Sequence, residues 1–405
     1  MERKLATIQR IDNLVTTVEL FSGIGGFRIA ADQLGLVTLF ANDINPTSCN
    51  VYRSNFGGEG LFDGDITNLI GVIPKHDVLT GGFPCQPFSA AGKKKGTRDP
   101  RGTLFQSIVN IIKDKTPEYF ILENVKRLLT MEDGVHFATI LAALSDLDYW
   151  IEWRVLNAKD FGLAQNRERI LICGRKITSR IDISEMTIPR LAELTELATS
   201  LDSFKLLKSD PNQWKNIETH GRKFLNWGMA IGGKYFDMNI INNACIFQRV
   251  LLQDILETMP PKEYDLTEST LSRLTNNTPV NKFIRGVEVI SNQAGGARMG
   301  YTIFGVNGIA PTLTASTSRH YERYYDGSIY RRLTPIEYAR LQGFPDLHCQ
   351  SALKYYQYSL LGNAVPPPIV KWVMQKWLQD LPKLETLELP TSHSQELSKE
   401  FYNEY

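Results

Sequence analysis

The first half of the chain alternates short apolar runs of strand length with longer segments that have helical spacing. Residues 15–35 run from an apolar stretch through a glycine turn into a helical pattern, and residues 36–56 repeat that order. Further apolar runs stand at residues 76–84, 117–125 and 167–175, with helical spacing between them. Strands alternating with helices are typical of a parallel sheet covered on both faces. The pattern predicts an α/β fold with a Rossmann-like, doubly wound and mostly parallel sheet.

The alternation weakens after about residue 178, where short strand-like runs mix with segments rich in Asn, Gly and Thr. Order returns near residue 331, and a last apolar helix is predicted at residues 366–380. Residues 1–14 form a polar extension, and residues 381–405 form an acidic tail. The chain therefore divides into a regular first domain and a second, less regular one.

The composition excludes several classes of protein. The 405 residues are 42% hydrophobic and carry a formal net charge of +1, so any nucleic-acid binding requires local basic patches rather than a polybasic coat. The five cysteines stand far apart, which argues against a zinc cluster or a redox pair and predicts no metal. Sparse cysteines, no signal peptide and no apolar run of membrane-spanning length predict a cytoplasmic protein.

A nucleotide site is predicted where the first two strands end. Gly23 and Gly25 follow a strand and precede a helix, which allows a sharp turn and close approach of a ligand to backbone N–H groups. A tight turn alone also explains them, because no GxGxxG pattern is present. Asp43 ends the next strand, where an acid binds ribose hydroxyls in Rossmann-type folds. With Asp65 as a candidate acceptor for an adenine amino group, these positions suggest an adenosine-containing cofactor.

Cys85 is the candidate nucleophile. It ends a predicted strand between Pro84 and Pro87, where open α/β sheets place ligands. A basic, glycine-containing stretch follows at residues 92–101, and cationic surroundings favour a thiolate. A buried structural cysteine, as expected for Cys173, and a solvated basic loop remain the alternatives.

Two further stretches carry polar residues at strand ends. Glu123 and Asn124 end an apolar run, in a position suited to acid–base chemistry. Gln165, Arg167 and Arg169 stand at alternate positions, which places them on one face of a strand. A surface salt-bridge ladder is the alternative for the two arginines.

Several segments together resemble the C5-cytosine DNA methyltransferases of bacterial restriction–modification systems: "FSGIGGF", "GDI", "GGFPCQPFS", "ENV", "AQNRER", "RRLTPIEYARLQGFP" and "LLGNAVPP". They stand in the order of that family and cover most of residues 17–178 and 327–378. The resemblance implies an S-adenosylmethionine-dependent methyltransferase fold. It also implies a discontinuous catalytic domain of residues 15–178 plus 350–380, and a target-recognition domain and hinge of residues 179–349.

The resemblance implies a role for each catalytic residue. The Cys85 thiolate adds to C6 of a cytosine flipped out of the duplex, which makes C5 nucleophilic. Glu123 holds and helps to protonate the N3 edge, Arg167 stabilises the activated base, and Arg169 supports it. The base that removes the C5 proton is not identified.

The resemblance also implies a binding site for S-adenosylmethionine. Asp43 stands where the family usually has Glu, and Ile44 stands where an aromatic residue is frequent, so adenine stacking is expected to be weaker. The expected cofactor-binding residues are Phe21, Gly23, Gly25, Asp43, Ile44, Asp65, Ile66, Pro84, Leu104, Asn363 and Val365.

Double-stranded DNA is the implied substrate, and a cognate restriction endonuclease is the implied functional partner of a monomeric enzyme. The basic stretch after Cys85 would close on DNA, and the variable region would read bases or phosphates. The expected DNA contacts are Gln86, Ser89, Lys93, Lys94, Lys95, Arg98, Arg298, Thr312, Arg319, His320 and Arg323.

Three other functions compete with this one. A nicotinamide-dependent oxidoreductase shares the fold but would not need the Pro-Cys-Gln, Glu-Asn-Val and Gln-x-Arg-x-Arg elements. A tRNA cytosine-5 methyltransferase is disfavoured by the long variable region. A non-catalytic DNA-binding regulator is disfavoured by the intact Cys85 and Glu123 and by the short N-terminal extension.

Overall fold

The structure is a computed structural model. It describes residues 14–84, 103–177, 189–192, 205–206, 221–240, 247–274, 276–293, 301–313 and 322–381.

Ten strands form one large sheet in the order β3-β2-β1-β4-β5-β7-β6-β9-β10-β8. The first five strands pair in parallel, and all later pairings in this sheet are antiparallel. This mixed α/β sheet confirms the predicted fold class. Its strands are β1 (Thr16–Leu20), β2 (Val37–Asp43), β3 (Leu61–Asp63), β4 (Val78–Gly82), β5 (Tyr119–Val125), β6 (Tyr149–Asn157), β7 (Glu168–Lys176), β8 (Lys205–Leu206), β9 (Trp227–Ile231) and β10 (Lys234–Met238).

Helices cover both faces of the large sheet. On one face the core contains apolar side chains of α3 and α4, and on the other it contains those of α1 and α8. Because both faces are covered, the central strand β5 is buried from its first to its sixth residue. The helices are α1 (Gly26–Gln33), α2 (Pro46–Phe56), α3 (Thr103–Lys115), α4 (Val135–Ser145), α5 (Glu268–Leu274), α6 (Pro335–Gln342), α7 (Lys354–Asn363) and α8 (Pro367–Trp377).

Strands β8 to β10 belong to the large sheet, although the sequence analysis assigned all of residues 179–349 to the second domain. The hairpin β9–β10 pairs with β6, which would otherwise expose a row of unpaired backbone groups. Trp227 is fully buried, and its Nε1 donates to Glu152 Oε1 at 2.8 Å. The burial of this tryptophan on β6 explains why residues 221–240 join the first sheet.

A second sheet of five strands has the order β11-β12-β13-β14-β15. Its buried face forms one apolar cluster with residues of α6 and α7. These helices therefore connect the small sheet to the C-terminal part of the chain. The strands are β11 (Asn277–Ile284), β12 (Val287–Gln293), β13 (Ile303–Gly305), β14 (Arg323–Tyr325) and β15 (Tyr330–Arg331). In the described part of the chain, no helix has both the length and the apolar character that crossing a membrane requires.

Candidate active site

The carboxyl ends of β1 and β2 form a turn held by one carboxylate. Phe21 and Gly23 have left-handed φ angles of 54° and 56°, and the helix α1 begins directly after Gly25. Asp43 Oδ2 accepts from the N–H of Gly23 at 2.8 Å, and Oδ1 accepts from the N–H of Asn45 at 2.8 Å. Burial raises the pKa of Asp43, while these backbone donors oppose the rise. Asp43 therefore shapes the turn, and its carboxylate keeps remaining acceptor capacity for a ligand.

Beside this turn the next two strand ends present an apolar and an acidic side chain. Ile44 is 68% exposed, although it is a large hydrophobic residue. Asp65 caps a short 3₁₀ helix, and its Oδ1 accepts from the N–H of Thr67 at 2.9 Å. Ile66 is buried next to it. An exposed apolar side chain at the same sheet edge as two carboxylates fits an adenosine, which has an apolar ring face and polar edges.

The C-terminal segment meets the glycine turn. A Cβ added to Gly26 would lie 2.4 Å from the carbonyl oxygen of Val365, so only glycine permits this contact. Asn363 is the last residue of α7 and is exposed. Pro84 is exposed after β4, and the half-buried Leu104 is the second residue of α3. All the predicted cofactor residues therefore lie at strand or helix ends, and most of them surround the carboxyl edge of the large sheet.

The candidate acid–base residue lies where β4 and β5 end. Gly82 stands opposite Glu123 in the parallel pair, and a Cβ on this glycine would lie 3.2 Å from Glu123 Oε2. The Nδ2 of Asn124 donates to the carbonyl oxygen of Phe83 at 2.9 Å, which fixes the end of β4. Cys85 comes two residues later and lies outside the described residues.

Glu123 forms a buried ion pair. Its Oε1 lies 2.9 Å from Nε of Arg169, and each side chain is 12% exposed. Burial raises the pKa of Glu123, whereas the charges of Arg169 and Arg167 lower it. Burial also lowers the pKa of Arg169. A buried carboxyl whose pKa is raised is suited to holding a proton and passing it to a ligand.

Arg167 is fully buried and points toward the C-terminal segment. Its Nη2 donates to the carbonyl oxygens of Gly362 and Ala364, each at 2.9 Å. Burial lowers its pKa to about 9. Its Nε and Nη1 have no partner within the described residues. Arg169, and not Arg167, thus makes the direct contact with Glu123.

Gln165 has a structural role that the sequence analysis did not assign. It is fully buried, and its Nε2 donates to the carbonyl oxygen of Leu341 at 3.0 Å and to Oε1 of Gln342 at 2.9 Å. Its Oε1 accepts from the N–H of Leu313 at 3.1 Å. Gln165 therefore joins the catalytic strands to the segment that enters the second domain.

Two predicted DNA contacts are described. Thr312 Oγ1 donates to the carbonyl oxygen of Asn166 at 2.5 Å, so it must exchange this partner before it can donate to a phosphate. Arg323 begins β14 and is half-buried. The other predicted contacts lie outside the described residues: Gln86, Ser89, Lys93, Lys94, Lys95, Arg98, Arg298, Arg319 and His320.

The described part of the chain holds no group of three or more His, Cys, Asp and Glu side chains arranged for a metal ion. Cys173 is fully buried in β7, and burial raises its pKa well above the usual value, as its predicted structural role requires.

Solved structures resemble this fold over most of the chain. The methyltransferase Dnmt2 of S. pombe superposes with a TM-score of 0.60 and 19% identity, covering 91% of this chain and 99% of its own. A putative DNA modification methyltransferase encoded within an E. coli prophage has a TM-score of 0.55 and 19% identity, over 91% of this chain and 99% of its own. At this identity the comparison shows the fold.

Sequence comparison shows the family. Residues 15–379 match the family described as C-5 cytosine-specific DNA methylase. The Type II methyltransferase M.NlaIV of Neisseria lactamica is 32% identical over 422 residues, which cover 90% of this chain and 99% of the relative. M1.ScrFI of Lactococcus lactis subsp. cremoris is 34% identical over 381 residues, covering 90% of this chain and 78% of the relative. With the strand-end site described above, these matches establish that the chain belongs to the C-5 cytosine-specific DNA methylases and is a methyl-transferring enzyme that acts on cytosine in DNA.

Proposed function

We propose that this enzyme methylates C5 of one cytosine within a short recognition sequence of double-stranded DNA. The modification protects host DNA from a cognate restriction endonuclease. The observation that carries the proposal is the buried Glu123–Arg169 pair at the end of β5. It lies beside the end of β4, from which the chain leads directly to Cys85. The similarity to Type II methyltransferases supports the pairing with a restriction endonuclease.

Cys85 is the proposed nucleophile. Its thiolate forms a bond to C6 of the flipped cytosine, and the C5–C6 π electrons become available at C5 as the ring gains a proton at N3. After C5 has gained the methyl group, loss of the C5 proton returns an electron pair to the ring and expels the thiolate, and N3 gives up the proton that it gained, which leaves neutral 5-methylcytosine. Positive charge near the sulfur favours the thiolate, and the basic stretch after Cys85 in the sequence supplies it.

Glu123 is the proposed proton partner of N3. Burial raises its pKa, which favours the protonated form that donates to N3. Arg169 contacts the same carboxylate and becomes the proposed stabiliser of the negative charge that Glu123 acquires when it donates. Arg167 holds the C-terminal segment against the catalytic strands and adds a second positive charge near Glu123. The division of roles therefore follows the contacts of each guanidinium.

S-adenosylmethionine is the proposed cofactor, and when bound it supplies the methyl group. Asp43 accepts from the ribose hydroxyls through its remaining lone pairs, and Asp65 accepts from the adenine amino group. Ile44 would cover one face of the adenine, and Phe21 and Ile66 would lie at its other sides. The turn at Gly23 leaves open space, since a Cβ there would meet no atom within 4 Å. Pro84, Leu104, Asn363 and Val365 surround the methionine end.

The second sheet and its flanking segments are the proposed target-recognition domain. Strands β8 to β10 extend the catalytic sheet, so this domain begins after residue 240 rather than at residue 179. DNA lies between the two sheets, with the flipped cytosine directed toward Glu123. The segments at residues 294–300 and 314–321 contain the predicted base-reading residues Arg298, Arg319 and His320.

Bisulfite sequencing of DNA from a methylation-free bacterial host that expresses this chain tests the proposal. Protected cytosines within one short recurring sequence are the expected result. A Glu123→Gln variant should leave few or no protected cytosines at equal protein level. Unprotected DNA in cells that contain folded, cofactor-binding wild-type protein would contradict the proposal, and methylation of cellular RNA instead would reassign the substrate.

A further inference from the structure

The turn of the proposed cofactor site has a strained backbone. Phe21, Gly23 and Gly25 have left-handed φ angles of 54°, 56° and 87°. A non-glycine residue such as Phe21 adopts this conformation at an energetic cost, and the conformation persists only where surrounding contacts hold the backbone in place. The shape of the turn therefore depends on the groups that bond to its peptide units.

Two peptide groups of this turn are held by side chains from distant parts of the chain. Asp43, at the end of β2, accepts from the N–H of Gly23. The next residue, Ile24, has its carbonyl oxygen 2.7 Å from Nε2 of His348, although 324 residues separate them. His348 lies between α6 and α7. This bond therefore ties the cofactor turn to the C-terminal half of the chain, and the sequence analysis assigned His348 no role.

His348 acts here as a neutral hydrogen-bond donor. It is 3% exposed, and burial lowers its pKa to about 4, so the imidazole carries one proton at neutral pH. Because the carbonyl oxygen of Ile24 can only accept, that proton lies on Nε2. The rings of Phe344 and Phe56 have their centroids 4.9 Å and 5.8 Å from that of His348 and fix its orientation. The donor is therefore ordered before any ligand binds.

The side chains around this bond also connect the turn to the second domain. Ile24 is 2% exposed and belongs to the apolar cluster formed by the small sheet, α6 and α7. A Cβ added to Gly25 would clash with the ring of Phe56, so this ring lies directly against the turn. Both the side chain and the carbonyl group of Ile24 are thus held by residues outside β1 and β2.

The segment that carries His348 is itself fixed on α2. The Nδ2 of Asn55 donates to the carbonyl oxygen of His348 at 2.8 Å. The Nδ2 of Asn50 donates to the carbonyl oxygen of Ser351 at 3.3 Å, and the hydroxyls of Ser54 and Ser351 hydrogen-bond at 2.8 Å. His348 therefore reaches the turn from a backbone that is held in place.

We propose that His348 is a positioning residue for the cofactor, because its hydrogen bond to Ile24 holds the turn in the conformation that accepts S-adenosylmethionine. The inference rests on the proposed function, since it takes the cofactor to bind at this turn. His348 is almost completely buried and acts through the turn, not by touching the cofactor. Without its donor, the buried carbonyl of Ile24 would be unpaired, which favours other turn conformations and lowers the fraction of molecules ready to bind.

Three variants separate the hydrogen bond from the packing of the ring. His348→Phe keeps an aromatic ring between Phe56 and Phe344 but carries no donor. His348→Gln places an amide N–H at the position of Nε2 and keeps the donor. Ser351→Ala is the matched control, because it removes a hydrogen bond between the same segment and α2.

Calorimetric titration of the full chain with S-adenosylmethionine tests the assignment. His348→Phe should weaken the affinity by about three- to tenfold, whereas His348→Gln and Ser351→Ala should stay within about twofold of the wild type. In steady-state assays His348→Phe should raise the KM for S-adenosylmethionine and leave the KM for DNA unchanged. Amide hydrogen exchange across residues 21–25 should be faster in this variant, which a general loss of stability would not confine to the turn.

Each outcome decides the assignment. Equal cofactor affinity in the wild type and a folded His348→Phe would overturn it and leave the proposed function standing. If His348→Gln binds as weakly as His348→Phe, the ring and not its donor matters, and the assignment is wrong. Should His348→Phe fail to fold, His348→Asn replaces it, because its amide is one carbon too short for the carbonyl of Ile24; equal affinities of the Asn and Gln variants would then contradict the proposal. A folded wild type that does not bind S-adenosylmethionine would overturn the proposed cofactor together with this inference.

Discussion

The Nη2 atom of Arg167 donates a hydrogen bond to the carbonyl oxygen of Gly362 at 2.9 Å, although 195 residues separate them in sequence. This bond and its neighbour to Ala364 join the catalytic strands to the segment that leads into α8. The same segment places Val365 against Gly26 in the cofactor turn. A single buried arginine therefore connects the catalytic edge, the C-terminus and the cofactor site.

Replacing this arginine should destabilise the protein. We expect Arg167→Ala to lower the free energy of unfolding by ~3 kcal/mol, because two buried carbonyl oxygens lose a charged donor and a cavity remains. Urea unfolding measures the change, with the exposed Arg127→Ala as the control. A loss no larger than that of the control would show that the C-terminal segment does not depend on Arg167.

Arg169 should affect the pH dependence of catalysis. Its charge lowers the pKa of Glu123, so Arg169→Gln raises that pKa further above its usual value. Glu123 then stays protonated to higher pH, and the alkaline limb of the single-turnover rate should move upward while the maximal rate falls by ~10²-fold. Lys126→Gln is the control, since its Nζ pairs with Glu168 at 2.7 Å and not with Glu123. If the alkaline limb of the rate profile stays at the same pH in Arg169→Gln, Arg169 does not control the titration of Glu123.

Gly26 should be needed for cofactor binding. In Gly26→Ala the new Cβ would lie 2.4 Å from the Val365 carbonyl oxygen, so either the C-terminal segment or α1 must move. We expect at least a tenfold weaker affinity for S-adenosylmethionine, measured by calorimetry, together with a lower melting temperature. Gly71→Ala is the matched control, because its Cβ would meet no atom within 4 Å. Equal cofactor affinity in the two variants would refute the role of this contact.

The buried Glu19 should make stability depend on pH. Burial raises its pKa from 4.5 to about 8, although the hydroxyl of Tyr52 donates to its Oε2 at 3.2 Å. For a carboxyl whose folded pKa is raised, stability is fully present below the unfolded pKa and falls as pH rises through the folded pKa. The stability that neutral Glu19 contributes is therefore lost as pH rises from 4.5 to about 8.

Glu19→Gln removes this ionisation, so the variant should gain stability relative to the wild type as pH rises across that window. At pH 9 its melting temperature should exceed that of the wild type by a few degrees, since one pKa unit corresponds to ~1.4 kcal/mol. Glu118→Gln replaces an exposed carboxyl and is the control. Parallel melting curves for wild type and variant from pH 5 to pH 9 would contradict the burial argument.

The sequence predicted the parts of the fold in which local pattern and tertiary environment agree. The run Tyr119–Val125 is apolar because its strand is buried on both faces, and Glu123 is conspicuous there because a carboxylate is costly to bury. The acid at the end of β2 and the glycines after β1 also follow from local geometry. For these elements the apolar and polar pattern follows directly from the burial and backbone geometry of the residues.

The hairpin β9–β10 was not predicted, although it carries a local signal. Gly232 and Gly233 both have positive φ, 53° and 72°, which suits a two-residue turn between two strands. Its strands are five residues each, and they are surrounded by a region without a clear period. Which sheet such a hairpin joins depends on the burial of Trp227 against β6, and no local pattern encodes that contact.

The contact partners of Arg167 and Arg169 were also beyond the sequence. Alternate positions on a strand predict a shared face, but they do not predict which partners lie opposite each side chain. Arg169 meets Glu123 across the sheet, whereas Arg167 meets carbonyl groups near the end of the chain. Contacts with such long sequence separation require the three-dimensional structure.

Covalent trapping on a duplex with 5-fluorocytosine at the methylated position tests the central claim most directly. Fluorine at C5 cannot leave as a proton does, so an enzyme that bonds to C6 and methylates C5 should stay attached. With S-adenosylmethionine present, intact-mass measurement should show wild-type protein joined to DNA through Cys85, and no such complex with Cys85→Ser. Efficient methylation of the ordinary duplex without any trapped wild-type complex, or by Cys85→Ser itself, would contradict the mechanism.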